Sequence, residues 1–178
     1  RGQYEVRLDT AFPAVIHECS LPRPGQDGTW ITPEMQQAYG RLHELGHAHS
    51  VETWIGGRLA GGLYGMAIGR VFYGESMFTR VPDASKIALA HLARHLERNG
   101  FAVIDCQMKT AHLASLGARE IPRRELLQGL TLPAICCNPD KLMLSPQGLL
   151  PAPGAIAALY EEMGGKVTWI GKPYPAIY

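Results

Sequence analysis

The chain has 178 residues, 46% of them hydrophobic and 19% charged, with a formal net charge of +1. That length suits one domain, or one domain with an appendage, and the apolar share is enough to bury a sizeable core. The near-neutral balance excludes a global nucleic-acid signature, so any RNA contact must come from a local basic patch, and neither an apolar run of ~18 residues nor a signal-peptide pattern points to membrane insertion or export.

Residues 4–9 (YEVRLD) predict a short strand, and 21–29 read as a loop from their Pro and Gly content. Thr32 followed by Pro33 is a sound helix start, after which Met35, Ala38, Leu42 and Leu45 recur at helical spacing until Gly46 supplies a stop. Residues 50–55 and 58–64 predict two strands around the tight turn Gly56-Gly57, and a further strand pair is expected at 64–68 and 70–75. Asp83 is placed to cap a helix over 84–99 with apolar positions Leu89, Leu92, Ala93 and Leu96, ended by Gly100. FAVID at 101–105 predicts a buried strand, and 110–118 a short helix closed by Gly117. The pattern is α+β: an antiparallel sheet with helices packed on it.

The texture changes after about residue 128. All seven histidines precede that point, and Pro133, Pro139, Pro146, Pro151 and Pro153 follow it. A helix from about Ala155 to Met163 leads through Gly164-Gly165 into the strand KVTWIG, which is a helix–strand unit of a parallel α/β layer. The expected seam lies near residues 126–132. The chain begins with Arg1 and stops after GKPYPAIY, and both ends read as cut from something longer. Cys19, Cys106 and the adjacent Cys136 and Cys137 make no CxxC, which suits reduced thiols in a cytosolic protein.

Three features carry possible chemistry. His43-Glu44-Leu45-Gly46-His47 matches the H-E-x-x-H zinc signature, but that motif needs both histidines one turn apart on a continuous helix. Gly46 falls where the helix should stop and no third ligand follows at a useful spacing, so a solvated helix end is the expectation and no metal site is assigned. Glu75 sits in FYGESMF, where Phe72, Met77 and Phe78 read as an apolar wall and Gly74 allows close backbone approach. A lone carboxylate there suits a ligand with an amino group beside a hydrophobic side chain; an exposed strand residue is the plainer alternative. Asp105 and Gln107 are two residues apart at a strand end, on one face, which fits either an active cleft or a buried polar pair holding a loop. Cys106 then faces the other way and reads as core. Lys86, Arg94, Arg98, Lys109, Arg119, Arg123 and Arg124 read as a solvated surface or as a basic rim for phosphates.

Residues from about 3 to 128 resemble the catalytic domain of leucyl/phenylalanyl-tRNA–protein transferases. The blocks GTWITPEMQQAYGRLHELGHAHSVETW, GGLYG, FYGESMFTR, ASKIAL, IDCQ and HLASLGAREIPR carry the resemblance in order. It implies an acetyltransferase-type N-acyltransferase-like sheet with packed helices, no metal and no coenzyme, and a cytoplasmic, monomeric enzyme. The reaction implied is transfer of Leu, Phe or Met from aminoacyl-tRNA to acceptor proteins beginning with Arg or Lys, for the N-end degradation route. Glu75 would engage the α-amino group. Leu63, Phe72 and Met77 would line the side-chain pocket, Leu92 would close it, and Trp30 would stack near the terminal adenosine. Asp105 and Gln107 would sit at the reacting centre. The family's small N-terminal domain precedes the region matched here. A non-catalytic aminoacyl-tRNA- or peptide-binding fragment, or an inactive chimera, is the alternative expectation. Residues 129–178 resemble a haloacid-dehalogenase-like sugar-phosphatase core through CNPD, PAPGAIAALYEEMGGKV and GKPYPAIY, with Asn138, Asp140 and Lys172 at family positions. That stretch lacks the nucleophile motif DxDG, so no phosphatase activity is expected from it.

Overall fold

β-Branched and aromatic residues concentrated between residues 48 and 79 drive the central sheet of the protein. The computed structural model describes residues 3–22, 28–122, 124, 134–136, 140–145 and 148–169. The chain splits into two compact units, Arg1–Glu120 and Ile121–Tyr178. The first holds β1 (Tyr4–Leu8), α1 (Phe12–Ser20), α2 (Pro33–Glu44), β2 (Ala48–Ile55), β3 (Arg58–Ile68), β4 (Val71–Thr79), α3 (Ala84–Arg98), β5 (Val103–Asp105) and α4 (Ala111–Ser115). Its sheet has the order β1-β2-β3-β4-β5, antiparallel except for the parallel β4–β5 pair. The architecture is therefore α+β as expected, but the sheet is mixed rather than antiparallel throughout.

Particular elements depart from the sequence reading. Residues 58–68 form one strand rather than two pieces, because Gly61, Gly62 and Gly65 are extended and continue the ladder instead of breaking it. β5 is shorter than the five residues expected, and only half-buried. Asp83 does not cap α3: its backbone is left-handed at φ +67° and its carboxylate accepts from Lys86 Nζ at 2.7 Å. Thr32 does cap α2, accepting from the Met35 amide at 3.3 Å. No element was expected at residues 10–20, where α1 forms. Its signal was present, since Phe12, Val15, Ile16 and Cys19 are buried at the spacing of one helical face.

The two faces of the sheet carry separate cores. One gathers Phe12, Val15, Ile16, Cys19, Ile31, Ala48, Tyr64 and Phe78 under α1, with Tyr39 and Leu42 of α2 packed against it. The other gathers Val51, Leu63, Phe72, Ala88, Leu92 and Leu96 against α3. Each large apolar side chain so buried contributes about 1.5–3 kcal/mol. Gly61 lets α3 approach the sheet: a Cβ there would lie 2.7 Å from the Ala84 Cβ and 2.9 Å from the Ser85 nitrogen. Thr53 Oγ1 donates to the Ala84 carbonyl at 2.9 Å and fixes the same approach.

Glu52 is fully buried in β2 and accepts from Ser50 Oγ, from Thr10 Oγ1 at 2.7 Å and from the Thr10 amide at 3.3 Å. Glu52→Ala strands the buried Ser50 hydroxyl, while the exposed Thr10 donors turn to water. It is expected to cost about 2–3 kcal/mol, read as a lower midpoint in urea unfolding with an unchanged slope; an unaltered midpoint would show that the network adds nothing.

In the second unit β6 (Ala134–Cys136) and β9 (Val167–Trp169) pair in parallel. Between them in sequence lie the hairpin β7 (Leu142–Ser145) and β8 (Gly148–Pro151), then α5 (Pro153–Glu162). This is the parallel helix–strand layer expected from the change in texture. Gly165 is dictated by the buried Tyr160 ring, which leaves no room for a Cβ. The seam at 126–132, Asn138 and Lys172 lie outside the described residues, as does most of the loop at 21–29.

Candidate active site

The central feature is a break in the β3–β4 ladder. Tyr64 faces Ser76 and Gly65 faces Gly74, so Glu75 has no residue opposite it and is the extra residue of a β-bulge. A bulge re-aims the side chain it carries, and here Glu75 comes near enough to Tyr39 of α2 for its charge to act on that phenol. Phe72 and Met77 pack on the α3 side while Phe78 packs under α1, so the three do not form one wall as their sequence proximity suggested. The shift of register at the bulge separates Phe72 from Phe78, while Met77 and Phe78, being adjacent, alternate to opposite faces.

β4 runs beside β5 only from Val71↔Val103 to Tyr73↔Asp105. Past that point β5 ends, and Gln107 spans the opening. Its Nε2 donates to Glu75 Oε2 at 3.3 Å and approaches the Gly74 carbonyl at 3.5 Å. Asp105 and Gln107 are brought together by a different means from strand alternation. Gln107 lies beyond the strand with a left-handed backbone at φ +63°, and its amide donates to Asp105 Oδ1 at 2.8 Å. A non-glycine residue held at positive φ costs on the order of 1 kcal/mol and is found where surrounding structure over-determines it.

The electrostatics follow from the two carboxylates. Burial pushes the Tyr39 phenol up to about 12, helped by the charge of Glu75. Burial also pushes Tyr64 up, reinforced by Cys19, Tyr39 and Glu75. The same cause, then Asp105, raises Tyr73 and the Cys106 thiol. All four therefore stay protonated near neutrality, and Cys106 offers no thiolate nucleophile.

Leu63, Phe72 and Leu92 are buried in one cluster with Met77 packed against it, so the four expected pocket residues come together. Trp30 is 51% exposed, with its ring edge toward Tyr39 at 6.5 Å. Hydrogen bonds thus join Glu75, Gln107 and Asp105, and Trp30 meets Tyr39 edge to face. Tyr39 was missed from sequence; its only signal was its position on the apolar side of α2.

The H-E-x-x-H motif does other work. α2 stops at Glu44, Gly46 takes φ +77°, and the two histidines do not share a helical face. His43 is not a solvated helix end either. Its ring stacks on Phe12 at 4.3 Å and 6°, with Nδ1 2.8 Å from the Ala48 carbonyl. Among the described residues no cluster of His, Cys, Asp and Glu could hold a metal ion, and no helix is long and apolar enough to cross a membrane.

A mixed sheet bulged in β4 and opening beside β5 has the acetyltransferase-like N-acyltransferase fold. An aminoglycoside acetyltransferase from an uncultured soil metagenomic sample has the same fold, with a TM-score of 0.51 at 10% identity over 67% of this chain and 91% of that one. Residues 1–131 match the family described as leucyl/phenylalanyl-tRNA protein transferase, and the chain belongs to that family. Relatives of that name from Azoarcus sp. (strain BH72) and Aromatoleum aromaticum are 67% and 65% identical over 131 and 128 residues. These alignments take in 73% and 72% of this chain but only 56% and 54% of the relatives, so the chain spans about half their length.

Proposed function

We propose that residues 1–128 are the catalytic domain of an aminoacyl-tRNA–protein transferase that moves Leu, Phe or Met onto the N-terminal Arg or Lys of acceptor proteins, in the cytoplasm and as a monomer. The observation that carries this reading is the joining of Glu75, Gln107 and Asp105 at the bulge, in a chain of this family. Glu75 binds the α-ammonium of the amino acid, and the Leu63, Phe72, Met77 and Leu92 cluster takes its side chain. Trp30 offers its half-exposed indole to the terminal adenine.

The acceptor amine attacks the ester carbonyl carbon, the amide C–N bond forms, and the bond to the ribose oxygen breaks. The amine's proton ends on that ribose oxygen. Gln107 is too weak a base to take it, so its amide orients the amine, and orientation supplies much of the rate. The Asp105 carboxylate acts through the Gln107 backbone rather than through its side-chain amide.

Residues 129–178 we read as a haloacid-dehalogenase-like core fragment. That reading rests on the sequence blocks CNPD, PAPGAIAALYEEMGGKV and GKPYPAIY alone, since a parallel β6–β9 pair with a helix before it is common to α/β layers generally. The test of the first unit is transfer of radiolabelled Leu or Phe from charged tRNA to a protein beginning with Arg or Lys. Label in acid-precipitable acceptor is the expected result. Binding of an aminoacyl-adenosine analogue without turnover would replace this reading with a non-catalytic binding fragment.

A further inference from the structure

An acceptor defined by its first residue alone offers nothing constant beyond that residue except its backbone. Holding it calls for main-chain hydrogen bonds, and an open sheet edge supplies them. β5 is an open edge: among the described residues it pairs with β4 and with no other strand. Successive residues of a strand turn their N–H and C=O groups to alternate sides. At least one of Val103, Ile104 and Asp105 therefore presents both groups to the open side.

The two ends of the sheet differ in chemistry. β1, the opposite edge, carries Glu5 and Arg7, which pair with each other while the Arg7 guanidinium lies 4.7 Å from the Trp54 ring centre. Charged side chains guard an edge against added strands. β5 has no lysine, arginine or proline, and its one charged group, Asp105, accepts from the Gln107 amide at 2.8 Å. Asp105 is also its last residue, so the open edge runs directly into the candidate reacting centre.

We infer that the open edge of β5 docks the N-terminal segment of the acceptor protein as an added antiparallel strand. The inference rests on the acceptor reading under the proposed function. Direction follows from the chemistry: the amine lies at Gln107, just past the C-terminal end of β5, so the peptide runs back along the strand from there. At about 3.4 Å per residue, the second to fourth acceptor residues come beside β5. The residue opposite Ile104 turns its side chain to the α3 side, where Ile104 itself packs on the apolar core. Three residues make a short template, which suits an acceptor that must leave after each turnover.

The test gives the unaltered chain acceptor hexapeptides of sequence Arg-Ala-Ala-Ala-Ala-Ala, with one N-methyl group placed on the second to fifth residues in turn. A methyl on an amide that bonds β5 removes that hydrogen bond and wedges the strands apart, whereas one on the next amide points away from the sheet. KM for transfer should rise about 10-fold at one position and stay within about 2-fold at the positions beside it. Amide exchange, followed residue by residue at saturating unmodified peptide, should slow about 5-fold or more within residues 103–106 and stay unchanged in β1. A flat profile, or an equal loss at every position, overturns the inference and leaves the proposed function standing, since label is still transferred to the unmodified peptide. Alternation without protection of β5 puts the peptide on another edge and overturns it too. No transfer to any peptide overturns the proposed function and this inference with it.

Discussion

Asp105→Ala is expected to lower kcat for aminoacyl transfer by about 100-fold or more, with KM for the charged tRNA changed only a few-fold. The Asp105 carboxylate touches the site through one bond, from the Gln107 amide at 2.8 Å. That bond holds Gln107 in a left-handed conformation which its own side chain does not favour. Without it the residue relaxes, and its amide leaves the Gly74 and Glu75 oxygens it now spans. Displacement of an orienting group by about 1 Å is worth on the order of 100-fold in rate. Asp105→Asn separates geometry from charge. Its amide oxygen can still accept from the Gln107 N–H, so a purely positional role predicts a loss under about 10-fold. A loss as large as that of Asp105→Ala would instead assign the carboxylate's charge to the reaction. Wild-type kcat in Asp105→Ala would remove Asp105 from the reacting centre altogether.

The residues of this site were legible in the sequence, but their arrangement was not. Glu75, Asp105 and Gln107 stood out because charged and amide groups among apolar strand residues are unusual, and the ordered blocks of a family reinforced them. Their grouping depended on two departures from strand alternation that residue types do not announce. One is the bulge that leaves Glu75 without a partner. The other is the positive φ of Gln107, adopted after β5 has already ended. Proximity in the sequence suggested one wall of Phe72, Met77 and Phe78; alternation already parts Met77 from Phe78, and the bulge moves Phe72 to the Met77 side, so the three divide between two cores. Tyr39 was invisible for another reason: nothing in α2 shows that a tyrosine there lies in the field of a carboxylate 36 residues later in the chain. His43 shows the opposite error, where a familiar spacing suggests chemistry but the ring stacks on Phe12 and bonds a carbonyl.

Gly65→Ala should be among the most damaging single-methyl additions in the chain, costing about 3 kcal/mol or more and lowering the melting temperature by roughly 10 °C. Gly65 is extended, so its backbone does not require glycine; the space around it does. A Cβ would collide with the Tyr73 carbonyl oxygen and lie 2.5 Å from Phe72 Cε1. A backbone carbonyl in a sheet cannot swing aside as the end of a flexible chain can, so β4 itself must shift. Gly40 gives the contrast within the same fold. It sits inside α2, where an added methyl would meet nothing within 4 Å, and Gly40→Ala should raise stability by about 0.5–1 kcal/mol through helix propensity alone. Opposite signs from one chemical change would locate the cost at the bulge; melting of Gly65→Ala within a degree of the parent would refute it. The consequence reaches function, because Tyr73 and Gly74 carry the backbone that presents Glu75. A Gly65→Ala chain still folded at low temperature is expected to lose transfer activity as well, since moving β4 moves the Glu75 carboxylate away from the Gln107 Nε2 that donates to it.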